Sequence, residues 1–536
     1  MIRITEIKIE LKEALTLDLE KAAILNYIYE KYRIKKTDVR SFSIFKKAID
    51  ARKKDHVIFV YSIDIELPYE KNLVDKKYPN LMITPDSAYH EVEMGDQPLK
   101  HRPVIIGFGP SGIFSALLLA RRGYRPIVLE RGLDVDARTK LWDHFKKTGE
   151  FHEDATILFG EGGAGTFSDG KLTTLVNDLR SRYVLEALVK HGADPAILYI
   201  NKPHVGTDIL KGIIRSIRQE ITLLGGEVRF HAKVTKLEYH EGKLSAVIVN
   251  DQERIETNVC LLGVGHSARD TFTQLYEQGI HISQKAFSVG VRIEHPQTLI
   301  NQSQYGSFHT MPNLGAADYK LSYKSDNGRG AYTFCMCPGG YVMCSASEPN
   351  GVVTNGMSES RRDGDNANAA LLVNVMPEDF KSDHPLAGMY FQREFEQKAF
   401  QLAGGSYKAP LQLVGDFLND RVTQSIGSVK PTYEPGYTFV NFKRFFPDYI
   451  HQTIHEALLD FDRKIKGFAM NDAVMTGVES RSSSPIRINR DESGQANIQG
   501  LYPMGEGAGY AGGIMSSAID GIRQAEMIIK TYLKGQ

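Results

Sequence analysis

The spacing of apolar residues changes several times along the chain, and each spacing predicts an element. The apolar run 104–106 predicts a buried strand, residues 113–122 predict a helix, and a second apolar run ending at Glu130 predicts another strand. Three glycines, Gly107, Gly109 and Gly112, separate the first strand from the helix. This order of elements is typical of a nucleotide-binding βαβ unit.

Each of the three glycines has a physical role in such a unit. Gly107 permits a tight turn, Gly109 lets the backbone approach a pyrophosphate, and Gly112 lets the helix pack close to the strand. The helix N-terminus offers free N–H groups and a positive dipole end to phosphates. Glu130 follows Gly112 by 18 residues, where a carboxylate can accept hydrogen bonds from a ribose. The combination predicts a dinucleotide-binding unit.

Residues 1–98 have a pattern of their own, which predicts a small separate domain. Runs at 2–9, 42–45 and 57–67 predict strands, and residues 19–32 carry apolar positions at helical spacing. The order strand, helix, strand, strand suggests a small α/β plait. The proline-containing segment 71–100 predicts a linker.

The stretch 31–54 of this domain carries ten basic and two acidic residues. Such a stretch forms either a solvated charged face or a docking surface for an acidic partner or nucleic acid. The sequence leaves both alternatives open.

A second glycine-rich segment, 159–172, follows the nucleotide-binding unit. Its five glycines disfavour a helix or a strand in the core. The segment is either a loop that brings backbone N–H groups against a ligand or a flexible surface loop, and its place in the chain favours the first.

Residues 276–470 contain no nucleotide-binding pattern and are predicted to form a substrate domain. Alternation over 287–295 predicts a strand that ends at His295. Residues 331–347 predict a hairpin with a Pro-Gly-Gly turn, in which Cys335 and Cys337 share a face because side chains alternate along a strand. The turn length decides whether Cys344 joins them.

The thiols of Cys335 and Cys337 permit two interpretations. Near a redox cofactor the pair would be redox-active, whereas buried strand cysteines more often serve packing. The thiols lack a second pair at metal-ligand spacing, so we expect no metal site.

The segment 478–487 combines Glu479, Arg481, Arg487 and three consecutive serines in a predicted strand. Polar groups cost free energy when they are buried without partners, so we expect this segment to line the active-site cleft or to meet water. Paired hydrogen bonds from a buried arginine suit a carboxylate or a phosphate. Arg481 is therefore a candidate for binding an anionic substrate, and Cys335, Cys337 and His295 are the other candidate catalytic residues.

Composition narrows the class of protein. The 536 residues exceed one domain, the hydrophobic and charged contents of 42% and 24% are ordinary for a globular protein, and Lys plus Arg equals Asp plus Glu at 65 each. Four cysteines are too few for a disulfide framework, which indicates a reducing compartment. Neither a signal peptide nor a transmembrane run stands out, so we expect a cytoplasmic protein.

Residues 502–521 resemble the C-terminal segment of FAD-dependent proteins of the glutathione-reductase fold group. In that group a strand ends in Gly-Asp, the acid holds the ribityl chain of the flavin, and a helix N-terminus faces the cofactor. Here Gly505 and Glu506 stand in place of Gly-Asp, and Gly512, Gly513 and Ile514 open the helix. An NAD enzyme needs no such second element, so the two segments together favour FAD.

The same resemblance implies further contacts to FAD. The backbone of Val234 would contact adenine, Gly263 and Gly265 would pass close to the phosphates, and Lys171 would face a phosphate or the N1–O2 edge of the flavin. The residues assigned to FAD are Gly107, Gly109, Pro110, Ser111, Gly112, Glu130, Arg131, Gly163, Ala164, Gly165, Thr166, Gly170, Lys171, Leu172, Val234, Gly263, Gly265, Gly505, Glu506, Gly512, Gly513 and Ile514.

These segments together resemble the bacterial family of uncharacterised FAD-dependent dehydrogenases, also called NAD(FAD)-utilising dehydrogenases. The resemblance implies an α/β, Rossmann-like FAD-binding domain built from two chain segments, 99–275 and 471–536. It further implies an inserted α+β substrate domain at 276–470 and the small N-terminal α/β plait domain, with its linker, at 1–98. The motifs are specific for FAD and not for a reaction.

Three functions remain open at this point. The first is an FAD-dependent oxidoreductase that passes a hydride or electrons between the flavin and a small, preferably anionic, substrate, with NAD(P)H, oxygen or a protein as the electron partner. The second is an RNA-modifying flavoprotein that docks RNA on the basic stretch. The third is a non-catalytic FAD-binding redox sensor that acts on a protein partner through the N-terminal domain. We expect no membrane partner.

Overall fold

Four sheets of different size divide the chain, and a computed structural model describes residues 1–153, 156–174 and 177–535 of it. The N-terminus forms a four-stranded sheet, followed by a five-stranded parallel sheet, a three-stranded sheet and a seven-stranded mixed sheet, with two further strand pairs. Among the helices of the described residues, none has the length and apolar character needed to cross a membrane.

The N-terminal domain is an antiparallel plait. Its elements are β1 (Ile2–Glu10), α1 (Leu17–Tyr32), β2 (Ser41–Asp50), β3 (Ile58–Glu66), α2 (Glu70–Val74) and β4 (Leu81–Ile83). The sheet order β2-β3-β1-β4 is that of the ferredoxin-like arrangement. The predicted plait is confirmed. The predicted linker is wrong in its first part, because residues 81–83 pair with β1, and a strand of three residues is too short to show a period of two.

The basic stretch 31–54 makes several structural contacts. Lys47 pairs with the buried carboxylate of Glu20 at 2.9 Å. The ammonium of Lys54 donates to the carbonyl oxygen of Gln304, in the substrate domain, at 2.6 Å. Part of the positive charge therefore holds the domain together and fixes it to the rest of the chain.

The nucleotide-binding part begins at residue 104. Its elements up to residue 277 are β5 (Val104–Ile106), α3 (Pro110–Arg121), β6 (Ile127–Leu129), α4 (Val135–Thr148), α5 (Arg180–Lys190), α6 (Thr207–Leu223), β7 (Glu227–Arg229), β8 (Val234–His240), β9 (Lys243–Val249), β10 (Glu253–Glu256), β11 (Cys260–Leu262) and α7 (Arg269–Glu277). β8, β9 and β10 form the three-stranded meander. Val228 lies in β7, which pairs in parallel with β6.

The region predicted to be the substrate domain, for which we keep that name, follows. Its elements are β12 (Ile282–Gln284), β13 (Phe287–Pro296), α8 (Gln297–Tyr305), β14 (Ser322–Lys324), β15 (Gly330–Cys337), β16 (Tyr341–Cys344), β17 (Thr354–Met357), β18 (Asn366–Val375), α9 (Ala387–Leu402), β19 (Ala409–Leu413), α10 (Val414–Leu418), β20 (Tyr437–Phe439), α11 (Asp448–Lys464) and β21 (Val474–Glu479). The large sheet has the order β14-β15-β18-β13-β21-β19-β20. Its central strands β13 and β18 are almost entirely buried.

The chain then returns to the nucleotide-binding part with β22 (Ile486–Ile488), β23 (Leu501–Pro503) and α12 (Ile514–Thr531). The parallel sheet has the order β23-β11-β5-β6-β7, so the last strand of the chain joins its edge. Helix α12 packs so closely on α3 that a Cβ on Gly521 would lie 2.2 Å from the carbonyl oxygen of Ser111. The predicted Rossmann-like sheet from two chain segments is confirmed.

The predicted hairpin over 331–347 is wrong. Strand β15 pairs with β14 and β18, while β16 pairs with β17 in a separate two-stranded sheet. Gly339, in the predicted turn, packs against the backbone of Arg362: a Cβ there would lie 1.9 Å from that carbonyl oxygen. The long strand β18 supplies β15 with more pairing than the four-residue β16 offers, and Cys344 is thereby separated from Cys335 and Cys337.

Candidate active site

The first glycine turn follows β5 at the carboxyl edge of the parallel sheet. Gly107 adopts φ +94°, which favours glycine, and a Cβ on Gly112 would lie 2.0 Å from the carbonyl oxygen of Gly107. Gly109 is the N-cap of α3 and Pro110 its first residue. The N-terminus of α3 therefore stands at the strand end, with the N–H groups of its first turn directed outward, as an anion requires.

Glu130 stands directly after β6, where the sequence places it. Its carboxylate is buried and accepts the backbone N–H groups of Phe108, Gly132 and Gly160, each at 2.8 Å. Glu130 therefore ties the glycine turn to the second glycine-rich segment, a role that the sequence did not indicate. A carboxylate has about four acceptor positions, so about one remains for a ribose hydroxyl.

The second glycine-rich segment, which we call the glycine loop (residues 160–170), lies against the glycine turn. Gly162 donates its N–H to the carbonyl of Phe108 at 2.8 Å, and a Cβ on Gly163 would come within 3.1 Å of the Cα of Gly109. A Cβ on Gly165 would lie 3.2 Å from the side chain of Ile514, the first residue of α12. The loop is thus packed between the N-termini of α3 and α12, in contrast to the alternative of a free surface loop.

Arg138 of α4 supports the glycine loop, and sequence reasoning missed it. Its buried guanidinium donates to the carbonyl oxygens of Ile157, Glu161 and Gly163 at 2.7, 2.6 and 3.0 Å. Burial lowers the pKa of Arg138 to about 10, against the effect of Glu130 and Glu161. An arginine in an amphipathic helix gives no sequence signal of this role.

The strand ends of β5, β11 and β23 meet at the same edge. A Cβ on Gly107 would lie 2.6 Å from the carbonyl oxygen of Gly263, and one on Gly507 would lie 2.8 Å from the carbonyl carbon of Gly265. No described heavy atom lies within 4 Å of a Cβ position on Gly265. Open space therefore adjoins the closely packed strand ends.

The C-terminal segment completes this edge. Gly505 packs against α3, and Glu506, the residue in place of Asp, pairs with the imidazole of His266 at 3.2 Å. Gly513 is the N-cap of α12. Gly512 and Gly513 are exposed, and in the described part of the chain no heavy atom lies within 4 Å of their Cβ positions. The N-terminus of α12 thus faces open space.

Arg131 and Lys233, the neighbour of Val234, both pair with Asp270. The guanidinium of Arg131 lies 4.2 Å from the ring centroid of Phe159 and pairs with Asp270 at 2.8 Å. Lys233 pairs with the same carboxylate at 2.6 Å. Burial opposes the ionisation of Asp270, but Arg131 and Lys233 outweigh it and lower its pKa to about 2.

Lys171 faces the substrate domain. Its ammonium contacts the carbonyl oxygen of Met336 and pairs with the buried carboxylate of Asp169 at 2.8 Å. It therefore lies beside Cys335 and Cys337. The expected contact of Lys171 with a phosphate or a flavin edge stays a prediction.

A cavity of about 390 Å³ lies between the nucleotide-binding part and the substrate domain. Its wall contains basic, acidic and hydroxyl side chains, among them Arg131, Ser267, Arg269, Ser347, Glu348 and Glu396. Arg269 pairs with Glu348 at 2.6 Å and with Glu396 at 2.7 Å. The charges of this wall are therefore engaged in ion pairs.

Arg481 lies behind this wall, and the structure corrects its predicted role. Its Nε and Nη2 atoms are 2.9 and 2.7 Å from the two carboxylate oxygens of Glu396, and its Nη1 contacts the hydroxyls of Ser267 and Ser347. The paired geometry expected for an anionic substrate is thus made with Glu396. Burial would raise the pKa of Glu396, but Arg269 and Arg481 hold it far below its usual value.

The serines around Arg481 lie between β21 and β22 and not within a strand. Ser480 donates to Glu396, Ser482 to the carbonyl of Ser288 and Ser484 to the carbonyl of Gly507. We expected this segment to line a cleft or to meet water. Instead, these buried hydroxyls find partners inside the protein.

His295 is not at the site. It is fully buried, its Nε2 lies 2.6 Å from the carbonyl oxygen of Phe468, and burial lowers its pKa to about 4. Since side chains alternate along β13, His295 points to the face opposite Arg292 and Glu294. The structure therefore corrects its candidacy as a catalytic residue. Within the described residues, no group of three or more His, Cys, Asp or Glu side chains is arranged to hold a metal ion.

Comparison with known proteins identifies the family. A family model described as "FAD-dependent protein, C-terminal domain-like" matches residues 286–482, and a model for a domain of unknown function matches residues 1–66. An uncharacterised protein of Clostridium beijerinckii is 49% identical over 534 residues, which is 99% of both chains. The chain belongs to this family of FAD-dependent proteins. FAD is the cofactor of this family.

Solved structures show only distant likeness to this FAD-dependent protein. CtdE in complex with FAD aligns with a TM-score of 0.33 at 10% identity over 80% of this chain and 83% of that chain. A glycerol-3-phosphate dehydrogenase from Bacillus halodurans complexed with FAD gives 0.33 at 12% identity, over 81% and 65%. An L-proline dehydrogenase from P. horikoshii gives 0.32 at 12%, over 81% and 94%. At these TM-scores the likenesses carry no argument about this chain.

The residues at the carboxyl edge of the parallel sheet fit FAD. Two helix N-termini, of α3 and α12, supply N–H groups and positive dipole ends for the two phosphates and the polar end of the flavin. Glu130 and Glu506 supply acceptors for hydroxyl groups at the two ends of this edge. The open space at Gly265, Gly512 and Gly513 leaves room that side chains would fill.

Proposed function

We propose that this protein is an FAD-dependent oxidoreductase acting on a small polar substrate. FAD, when bound, supplies the transfer of a hydride or electrons, and the chain supplies binding, orientation and electrostatics. The observation that carries the proposal is the packing of the glycine loop between the N-termini of α3 and α12. Lys171, which directly follows this loop, contacts the substrate domain.

The residues at the sheet edge have distinct roles in this proposal. The N-terminus of α3 binds the pyrophosphate. Glu130 holds the glycine turn and accepts a hydrogen bond from a ribose hydroxyl. Glu506 accepts hydrogen bonds from hydroxyls of the ribityl chain. Arg131 and Val234 border the adenosine end. The remaining residues assigned to FAD from the sequence belong to the same edge, to the glycine loop and, for Lys171 and Leu172, to the two positions that follow this loop.

The cavity between the two domains supports a small polar substrate. Its volume of about 390 Å³ is within the usual range of small-molecule sites, about 300–1,000 Å³. Basic and acidic side chains in its wall pair with each other, so the wall gives no preference for an anion. The hydroxyls of Ser267 and Ser347 offer orienting hydrogen bonds.

The identity of the cofactor is the first test. Protein purified from flavin-replete cells should release FAD on heating. Release of FMN, or a colourless folded protein, would contradict the proposal. A colourless protein that also takes up no added FAD would be decisive.

Reduction of the flavin is the second test. The FAD-loaded protein is mixed anaerobically with NADH, NADPH and panels of amino acids and hydroxy acids, and loss of oxidised-flavin absorbance is followed. Ser347→Phe, which fills the cavity, should retain FAD and lose at least tenfold in the rate of reduction by the active substrate. Thr310→Phe, at an exposed position of the substrate domain, should retain both FAD and the rate of reduction. Retained FAD that no donor reduces would instead favour a sensor.

A further inference from the structure

The two cysteines at the end of β15 lie at a backbone irregularity. Cys335 adopts φ +44°, and the pairing of β15 with β18 shifts register between Phe334 and Cys337. Such a shift is a β-bulge, and bulges re-aim side chains. The Sγ of Cys337 lies 3.2 Å from the carbonyl oxygen of Cys335. The bulge therefore turns Cys337 back toward Cys335.

The spacing of the two cysteines along the strand is compatible with a disulfide. Two positions of an extended strand span about 6.6 Å, which is close to the upper limit of the Cα–Cα range for disulfides, about 4.4–6.8 Å. Cys335 is half-buried and the neighbouring Phe334 is 36% exposed, so Cys335 lies close to the surface, whereas Cys337 is buried behind it.

Two cations are fixed at the backbone of this bulge. The ammonium of Lys171 contacts the carbonyl oxygen of Met336, the residue between the two cysteines. The guanidinium of Arg292 donates from Nη1 to the carbonyl oxygen of Cys335 at 2.9 Å. Lys171 directly follows the glycine loop and Arg292 lies in β13, so the fold assembles this environment from distant parts of the chain.

Ionisable side chains surround the thiols. Asp169 is shared by Lys171, at 2.8 Å, and Arg362, while Arg292 pairs with Glu479 at 3.0 Å. Arg292 also interacts with the buried carboxyl group of Glu294. Lys171 and Arg292 are the cations of this group that act on both thiols.

The electrostatics distinguish the two thiols. The hydrogen bond from Cys337, followed by Lys171 and Arg292, outweighs burial and lowers the pKa of the Cys335 thiol well below its usual value. The same interaction with Cys335, together with burial, raises the pKa of Cys337. The site thus favours one thiolate and one thiol. The other titratable groups that face the pair are Asp169, Glu479, Arg362 and Tyr319.

We propose that Cys335 and Cys337 form a thiol–disulfide exchange site for disulfides of small thiols, with Cys335 as the nucleophile and Cys337 as the resolving thiol. The Cys335 thiolate attacks one sulfur of the disulfide, forms a mixed disulfide and releases the first thiolate. Cys337 loses its proton and attacks the Cys335 sulfur, which releases the second thiolate. The dithiol loses two electrons and becomes a disulfide. The small disulfide gains them and is reduced to two thiols, and the released thiolates take up the protons.

This exchange requires no step at FAD, so it stands apart from the proposed function. Lys171 and Arg292 act in it as positioning residues, because they stabilise the thiolate without touching the incoming disulfide. Cys260 and Cys344 provide internal references, since both are buried and burial raises the pKa of both thiols.

Alkylation of the full-length protein tests the thiolate. Iodoacetamide is applied between about pH 5 and pH 9, which brackets an ordinary thiol pKa of about 8.5, and each cysteine is quantified by peptide mass spectrometry. Cys335 should react at least tenfold faster than Cys344 at neutral pH, with a midpoint below the ordinary value. Lys171→Met should move that midpoint upward, which a merely structural role of Lys171 would not do. Equal or slower reaction of Cys335 overturns the assignment.

Exposure to glutathione disulfide tests the exchange. The wild-type protein should lose about 2 Da and give a peptide in which Cys335 and Cys337 are joined, and a dithiol reductant should reverse the change. Cys337→Ala should stop at a glutathione adduct on Cys335, Cys335→Ala should give no adduct, and Cys344→Ala should behave as wild type. If the variants fail to fold, the wild-type measurement decides alone: absence of the joined peptide overturns the proposal.

Discussion

The Cα of Gly109, which caps helix α3, lies 3.1 Å from the position that a Cβ on Gly163 would occupy. Two glycines that are far apart in the chain thus bring the glycine turn and the glycine loop into backbone contact. The carboxylate of Glu130 stabilises the same contact by accepting three hydrogen bonds from backbone N–H groups. The geometry of the proposed cofactor site therefore depends on this contact.

Replacing Gly163 should damage that contact. Gly163→Ala adds a Cβ at a residue with φ +58° and presses it against Gly109, so we expect at least tenfold weaker retention of FAD, measured by equilibrium dilution. Gly242→Ala is the matched control, because Gly242 has φ +72° and no described heavy atom within 4 Å of its Cβ position. Equal loss of FAD in both variants would show a general effect of left-handed backbone.

Glu130 should affect stability as well as cofactor binding. Glu130→Ala leaves three buried N–H groups without their acceptor, and each costs about 1–3 kcal/mol, so the free energy of unfolding should fall by about 3 kcal/mol or more. Glu130→Gln keeps an acceptor and should lose less. Urea denaturation and FAD retention measure the two effects. Normal stability with loss of FAD alone would mean that the carboxylate binds ribose and supports nothing else.

Arg481→Lys should destabilise the fold without selectively reducing turnover. The lysine keeps the charge but loses the paired contact with Glu396, which is buried, so the cost should stay below that of removing one partner of a buried pair, about 3–5 kcal/mol. Thermal unfolding should report the loss. The rate of flavin reduction per folded molecule should stay within about threefold. If the variant selectively lost flavin reduction by an anionic donor, Arg481 would again be a candidate for binding an anionic substrate.

Asp169 should contribute a pH-dependent part of the stability. Burial opposes its ionisation, but Lys171 and Arg362 outweigh burial and lower its pKa from 3.8 to about 2. Since the folded pKa is depressed, the contribution is present above about pH 4 and is lost as the pH falls toward 2. It amounts to about 2 kcal/mol.

The measurement compares the wild type with Asp169→Asn in urea between about pH 2 and pH 5. The difference in the free energy of unfolding should shrink by about 2 kcal/mol over this interval. A difference that stays constant would show that the folded pKa of Asp169 is not depressed.

Two N-terminal deletions of different length should distinguish the contribution of the N-terminal plait from that of the connecting segment 85–98. Removal of residues 1–84 breaks an apolar cluster shared with the substrate domain and the contact of Lys54 with Gln304, so thermal stability should fall while FAD stays bound. Removal of 1–98 also deletes Tyr89, which donates to Glu526 of α12. This longer deletion should weaken FAD retention further. Equal behaviour of the two proteins would show that residues 85–98 contribute nothing to α12.

The sequence by itself determined the elements whose cause is local. Val104–Ile106 is a strand because it is a short apolar run, and the three glycines that follow it permit one kind of turn. The start of α12 at Ile514 likewise follows from the glycine pair before it. The N-terminal plait was predictable for the same reason, whereas the Rossmann-like sheet from two chain segments was implied by the family resemblance.

Only the tertiary structure decided which polar groups meet. Arg481 is engaged by Glu396, Lys171 by the carbonyl of Met336 and His295 by the carbonyl of Phe468, and each of these partners is distant in the sequence. Strand β15 likewise pairs with β18 and not with β16, which follows it in the chain, because pairing depends on which strand the fold places alongside. Burial makes an unpaired polar group costly, so the available partner, and not the residue type, fixes the role of each side chain.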